Sequence, residues 1–199
     1  MSPRLMQPDD APATAHNLAQ AFMTDPMMHH LAPDDGRRAR MLPVYFRAVL
    51  RQTESHGVRH VALDDESNVC GAAIAMPPGT YPLPLLPQLA EWRTMAASGW
   101  SATLRHFREI PPIEAKRPSE PFWYLMYIGV APVEQGRGHG DALLRDVVAD
   151  ADRDGLSTYL VTMKAANVSY YQRFGFEPRS ELRMGRHGPA TWTMLRPAR

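Results

Sequence analysis

The spacing of apolar positions divides the chain into alternating helix-like and strand-like segments. Ala15, Leu18, Ala19 and Phe22 recur at helical spacing behind Asp9-Asp10, with Pro12 in the first turn. A helix capped by that acidic pair is predicted over residues 10–24. A second helical pattern covers residues 37–56, with Met41, Tyr45 and Val49 inward and Gly57 as its stop. Pro43 conflicts with an uninterrupted helix, because proline lacks an N–H and crowds the preceding turn; a kink or a start near Leu42 is expected. Val58–Leu63 and Val69–Met76 read as strands paired around the turn at residues 64–68. Phe122–Val130 is an unbroken apolar run, the mark of a central strand covered on both faces.

The clearest amphipathic helix follows at residues 138–154. Ala142, Leu143, Val147 and Ala151 form its inner face, Arg145, Asp146, Asp150 and Arg153 its outer face, and Gly155 ends it. A strand at 158–162, a short helix at 167–174 capped by Asn167 and closed by Gly175, and strands at 176–182 and 191–195 complete the pattern. This alternation predicts a layered α/β (α+β) fold in one domain over residues 1–199. The least regular stretch is an insert at 77–121, where Pro77, Pro78, Pro82, Pro84 and Pro87 come first. One or two helices over 89–107, broken near Ser98-Gly99, are predicted next, before Pro111-Pro112 and Pro118 interrupt again. A connection of that length inside a compact domain is usually functional.

Composition narrows the function little. At 199 residues, with 44% hydrophobic and 22% charged residues, the chain can bury a sizeable core. A net charge of +1 provides no electrostatic attraction to nucleic acid or to an anionic membrane. Cys70 is the single cysteine and sits in an apolar run, where it reads as a small buried hydrophobe rather than a nucleophile. No secretory signal or membrane-length apolar run is apparent, so a cytoplasmic location is expected. Adjacent His29-His30 point apart, which argues against a metal site there.

The candidate chemistry lies where the central strand runs into Gln135-Gly136-Arg137-Gly138-His139-Gly140. Alternating glycines at the start of a helix let backbone N–H groups converge on an anion, with the positive end of the helix dipole behind them. Two familiar glycine loops do not match. The dinucleotide fingerprint needs a third glycine where Asp141 stands, and the P-loop needs Lys-Ser/Thr where Asp141-Ala142 stand. The pattern Gln-x-x-Gly-x-Gly behind a strand resembles the acyl-CoA pyrophosphate loop of the GNAT N-acetyltransferase superfamily. Downstream, Asn167-Val168-Ser169-Tyr170-Tyr171-Gln172-Arg173-Phe174-Gly175-Phe176 resembles that superfamily's N-x-x-x-Y-x-x-x-G-F signature, one strand and one helix later. Within the superfamily the likeness is nearest to the puromycin N-acetyltransferases. It runs through Arg117-Pro118-Ser119-Glu120-Pro121-Phe122-Trp123, both motifs and Ala190-Thr191-Trp192-Thr193-Met194, and only in outline through Ala21-Phe22 and Asp25-Pro26. That group carries an acid early in the strand before the second motif. Here the run is Leu160-Val161-Thr162-Met163, so Val161 cannot perform that acid's task and puromycin itself is not implied as substrate.

The resemblance implies a GNAT fold, a mixed central sheet of about six to seven strands flanked by helices, with the insert before the central strand. It implies an acetyl-CoA-dependent N-acetyltransferase acting without a metal. Pantetheine would pair with Ile128 and Val130 like an added strand, with a bulge at Gly129 freeing an N–H for the thioester oxygen. Gln135, Gly136, Arg137, Gly138, His139, Gly140 and Asp141 would hold the pyrophosphate, and Asn167 the pantetheine arm. Tyr171, a phenol with an ordinary pKa of about 10, would protonate the departing thiolate. No general base is evident; Glu120 and Tyr127 are weak candidates. The acceptor is expected to be a primary amine of a small molecule and the protein a monomer or homodimer. Protein or peptide acetylation, and a non-catalytic acyl-CoA sensor, are the alternatives.

Overall fold

The computed structural model describes residues 3–82, 104 and 108–199. One sheet of seven strands organises it: β1 (Arg4–Leu5), β2 (Val58–Leu63), β3 (Val69–Met76), β4 (Phe122–Val130), β5 (Ser157–Thr162), β6 (Glu177–Arg183) and β7 (Ala190–Arg196). The order across the sheet is β1-β2-β3-β4-β5-β7-β6, and the seven strands reach the upper end of the expected range. Neighbours are antiparallel except β4 and β5. A parallel pair needs a crossover, which here is the helix between those two strands. The helices are α1 (Ala11–Ala21), α2 (Pro26–Leu31), α3 (Asp35–Gln52), α4 (Pro111–Glu114), α5 (His139–Arg153) and α6 (Ala165–Gln172).

Alternation along the strands divides the core into two layers. Ala62, Cys70, Ala73, Ala75 and Leu125 face α5, where Leu143, Leu144, Val147 and Ala151 cover them. Their neighbours Val61, Ala72 and Ile74 face the other way, against Leu18 of α1 and Leu42, Phe46 and Val49 of α3. Leu18, Leu42, Phe46, Leu143 and Leu144 are fully buried. Each contributes about 1.5–3 kcal/mol of transfer free energy.

Several local expectations need correction. Asp10 does not cap α1 with its side chain; its carboxylate binds Arg4 at 2.6 and 2.9 Å and the Gln7 N–H at 2.7 Å. The helix α3 neither starts near Leu42 nor stops at Pro43. It begins seven residues before Leu42, where Asp34 caps it by accepting from the Arg37 N–H at 2.6 Å. Asp150, expected on the outer face of α5, is buried beneath β2 and meets His60 Nε2 at 2.8 Å. Pro111-Pro112 do not interrupt a helix but open α4, since proline in the first turn gives up only N–H groups that have no helical partner. Of the one or two helices expected over 89–107, only Leu104, which is helical, lies among the described residues.

The feature that shapes the site is a divergence between β4 and β5. Their parallel pairing ends at Leu125↔Leu160, although β4 runs on to Val130 and β5 to Thr162. On its other edge β4 pairs Tyr127 with Ile74 and Leu125 with Ala75, leaving Met126 as the extra residue of a bulge. A bulge bends its strand and increases its twist, and this one falls where β4 leaves β5. The bulge expected at Gly129 is therefore three residues earlier. Gly129 pairs regularly with Ala72, and its lack of a side chain serves the other layer. A Cβ there would lie 3.0 Å from Ala21 and 3.1 Å from Leu18, so the glycine lets α1 approach β4.

Candidate active site

The divergence opens a cleft of about 830 Å³ between the two strands. Residues 126–129 of β4, expected to be buried on both faces, are half-exposed along it. Ala131 donates to the Cys70 carbonyl across the β3–β4 boundary at 2.8 Å. By strand alternation Gly129 also turns its backbone toward β3, and Ile128 and Val130 turn theirs toward the gap. The Val130 carbonyl is already held by Gln135 Nε2 at 3.0 Å. An extended ligand arm in the gap would find the Ile128 N–H and C=O and the Val130 N–H.

At one end of the cleft lies the glycine loop. Gly136 and Gly138 have φ of 80° and 85°, a left-handed conformation that glycine adopts without penalty. The first bond of α5 runs from Ala142 N–H to the Gly138 carbonyl at 3.0 Å. The N–H groups of His139, Gly140 and Asp141 therefore precede the helical ladder and have no partner within it. Gln135, Gly136, Gly138, His139, Gly140 and Asp141 all line the cleft. Arg137 is placed differently from expectation. It is not among the lining residues, and its side chain is mostly exposed and meets Glu134 at 3.2 Å. His139 Nε2 also faces Glu134, at 3.6 Å.

The helix α6 supplies the other wall. Asn167 lines the cleft but does not cap the helix; Lys164 occupies the N-cap position and Asn167 donates from Nδ2 to Thr162 Oγ1 at 3.3 Å. The adjacent tyrosines have separate surroundings. Tyr170 reaches Asp141 at the start of α5. Tyr171 packs edge-on against Phe176, with ring centroids 5.7 Å apart, and its hydroxyl takes no hydrogen bond from the described residues. Burial, and secondarily the charge of Asp25, raises the Tyr171 pKa well above the ordinary phenol value. The phenol stays protonated at neutral pH, as a proton donor must.

The sequence matches the description of the acetyltransferase (GNAT) family over residues 16–176. The chain belongs to this family. An N-acetyltransferase of Schizosaccharomyces pombe is 25% identical over 194 residues, covering 88% of this chain and 74% of that protein. Among solved structures, one described as histone acetyltransferase HPA2 and related acetyltransferase from Corynebacterium glutamicum has a TM-score of 0.75 and 24% identity, over 100% of this chain and 98% of that one. A phosphinothricin acetyltransferase from Sinorhizobium meliloti, in complex with acetyl-CoA, has a TM-score of 0.59 and 16% identity, over 99% and 88%. At these identities the structures establish the GNAT fold alone.

The far end of this GNAT cleft holds groups that sequence reasoning missed. Asp25, before α2, accepts from the Met27 and Met28 N–H groups at 3.0 and 3.3 Å, and burial raises its pKa. The local signal is Asp25-Pro26, a capping residue followed by proline at the first helical position. Glu114 of α4 lies 3.2 Å from Arg117 and beside the Tyr81 hydroxyl, and burial raises its pKa as well. Arg117 stacks over Tyr81 at 5.0 Å, and Tyr81 packs on Tyr124 at 4.7 Å. Tyr45 and Tyr127 bond hydroxyl to hydroxyl above the β4 bulge. Val161 lines the same region. Glu120, a weak candidate for the base, is exposed and faces a separate surface pocket, so it is not part of this site. Cys70 is buried beside β4, and burial pushes its thiol up to about 11, which leaves no reactive thiolate.

Proposed function

We propose that this GNAT enzyme transfers an acetyl group from acetyl-CoA to a primary amine of a small molecule. The observation that carries this is the single cleft. It joins a run of unpartnered helix N-terminal N–H groups, a split strand pair with free backbone groups, the Tyr171 hydroxyl and, at its far end, two half-buried carboxylates. Pyrophosphate would rest on residues 136–141, and pantetheine would pair with Ile128 and the Val130 N–H as an added strand. Asn167 would bond the same arm. The thioester would then lie in the gap near Tyr171, which gives its proton to the sulfur as the amine attacks directly. No enzyme-bound acetyl group is needed.

Two features favour a small acceptor over a protein chain. Tyr81, Pro82, Ile113 and Glu114, all from the insert at 77–121, line the far end of the cleft and narrow it. That end combines aromatic faces and methionines with carboxylates, a setting suited to an amine with an apolar body. The puromycin N-acetyltransferase likeness extends to the donor half of the site; the acid that group carries in β5 is Val161 here, so a different acceptor is inferred. Cytoplasmic action, where acetyl-CoA is available, belongs to this proposal. The test is release of free CoA thiol from acetyl-CoA across a panel of small amines and peptides. Turnover with a small amine supports the proposal. Turnover with peptides alone would shift it to protein acetylation, and binding without turnover for any amine would leave an acyl-CoA sensor.

A further inference from the structure

The donor machinery leaves one step without an agent: removal of a proton from the attacking nitrogen. Among the described residues four half-buried carboxylates line the cleft: Glu134 and Asp141 at the glycine loop, and Asp25 and Glu114 at the far end, where the two stand in different company. Glu114 lies 3.2 Å from Arg117 and beside Tyr81, and its Oε2 is enclosed, taking no hydrogen bond from the described residues. Asp25 divides its two oxygens between separate tasks. Oδ1 caps α2 through the Met27 and Met28 N–H groups. Oδ2 takes no hydrogen bond from the described residues, yet it is not among the enclosed polar atoms lacking a partner. An oxygen that is neither paired nor sealed off on a cleft-lining residue is open to the cleft.

Asp25 lines the cleft together with Tyr171, Tyr45 and Lys164. Its charge is felt by Tyr171 of α6 and Tyr45 of α3, and Lys164 at the start of α6 acts on it as the nearby cation. Arg38 of α3 is also close in the chain, but its guanidinium is committed to the carbonyls of Met23, Ala32 and Pro33 and to Asp35. Tyr127, behind Tyr45, is bonded to that residue.

We propose that Asp25 is the proton acceptor for the attacking amine, with Oδ1 fixing its position and Oδ2 receiving the proton. This rests on the acetyltransfer function proposed above. The amine arrives neutral, having lost one proton to solvent, and its nitrogen bonds to the thioester carbon. Asp25 takes one of the two nitrogen-bound protons, the C–S bond breaks, and Tyr171 gives its proton to the sulfur. The proton on Asp25 then returns to the Tyr171 phenolate, restoring both groups. The sum is an ammonium and a thioester giving an amide, a thiol and one proton in solution. Burial that raises the Asp25 pKa makes it a stronger base than an exposed carboxylate.

The double use of Asp25 provides its own control, because asparagine caps helices about as well as aspartate but cannot accept this proton. Asp25→Asn is expected to keep the thermal midpoint and the acetyl-CoA affinity, and to lower kcat by about 10²–10⁴-fold. In the wild type, kcat falls as pH drops through the raised Asp25 pKa; in Asp25→Asn that limb disappears, while the amine's own titration appears in both enzymes. Asp25→Ala loses the cap as well and is expected to melt about 2–4 °C lower. Turnover by the wild type with an unchanged kcat and pH profile in Asp25→Asn would overturn the proposal and leave Asp25 as a cap. Absence of turnover in the wild type with every amine would instead overturn the acetyltransfer function, and this inference with it.

Discussion

The two ends of the cleft are built by different means. The end proposed for acetyl-CoA is made of backbone: N–H groups at the start of α5, the exposed edge of β4 beyond its bulge, and glycines whose positive φ shapes the loop. The end proposed for the acceptor is made of side chains brought from the cap of α2, from α3, α4 and the strands: Asp25, Tyr45, Glu114 and Tyr124. A backbone-built site recognises what every acyl-CoA shares and tolerates drift in its side chains. A side-chain-built site can change its ligand with a few substitutions. Under the proposed function, the comparison predicts that donor and acceptor recognition in this molecule can be altered separately.

Substitutions can break or sharpen that contrast. The largest effect is expected where the two ends meet, at Tyr171. Tyr171→Phe is expected to lower kcat by about 10²–10⁴-fold while the Kd for acetyl-CoA, measured by calorimetry, stays within twofold. Next comes Gly138→Val, which forces a β-branched residue into φ of 85°. The strain of about 1–2 kcal/mol falls on the N–H groups that face the pyrophosphate. A rise in KM for acetyl-CoA of about 5–30-fold is expected, with the amine KM unchanged in steady-state assays. Glu114→Gln should do the reverse, raising the amine KM about tenfold and sparing acetyl-CoA, because it removes a charge only at the acceptor end. The smallest catalytic effect is expected for Gly129→Ala. Its methyl would press on Ala21, Leu18 and Phe22 at 3.0–3.2 Å, costing about 1–3 kcal/mol of stability in a melting experiment. Donor and acceptor KM values should change less than in the other variants, since the added methyl points to α1 rather than into the β4–β5 gap.

The same contrast explains how much could be read in the chain. Six of the seven strands, α5, the glycine loop and the Asn167–Phe176 motif were legible because each depends on local spacing or on glycine conformation; the two-residue β1 is too short to carry a period. The acceptor end was not, because its residues meet only through tertiary packing: Asp25 and Glu114 are 89 positions apart and line one cavity. Where local signals failed, one principle was weighed against another and lost. Pro43 looked like a kink or a helix start, but α3 runs through it from a cap at Asp34, and Phe46, Val49 and Leu50 hold its inner face in the core. Pro111-Pro112 looked like an interruption and are the first turn of α4. Asp150 looked solvent-facing by helical period and is buried by its contact with His60 from β2. The bulge expected at Gly129 falls at Met126, and the missing side chain at Gly129 also lets α1 approach β4.

The central claim is that one cleft holds the acetyl donor by backbone and places its thioester beside Tyr171. A crystal structure with CoA bound tests it most directly. The account predicts pyrophosphate on the N–H groups of residues 136–141, pantetheine hydrogen-bonded to Ile128, and the thiol within hydrogen-bonding reach of the Tyr171 hydroxyl. CoA bound outside the β4–β5 gap, or its thiol turned away from Tyr171 with another donor beside the sulfur, would contradict it.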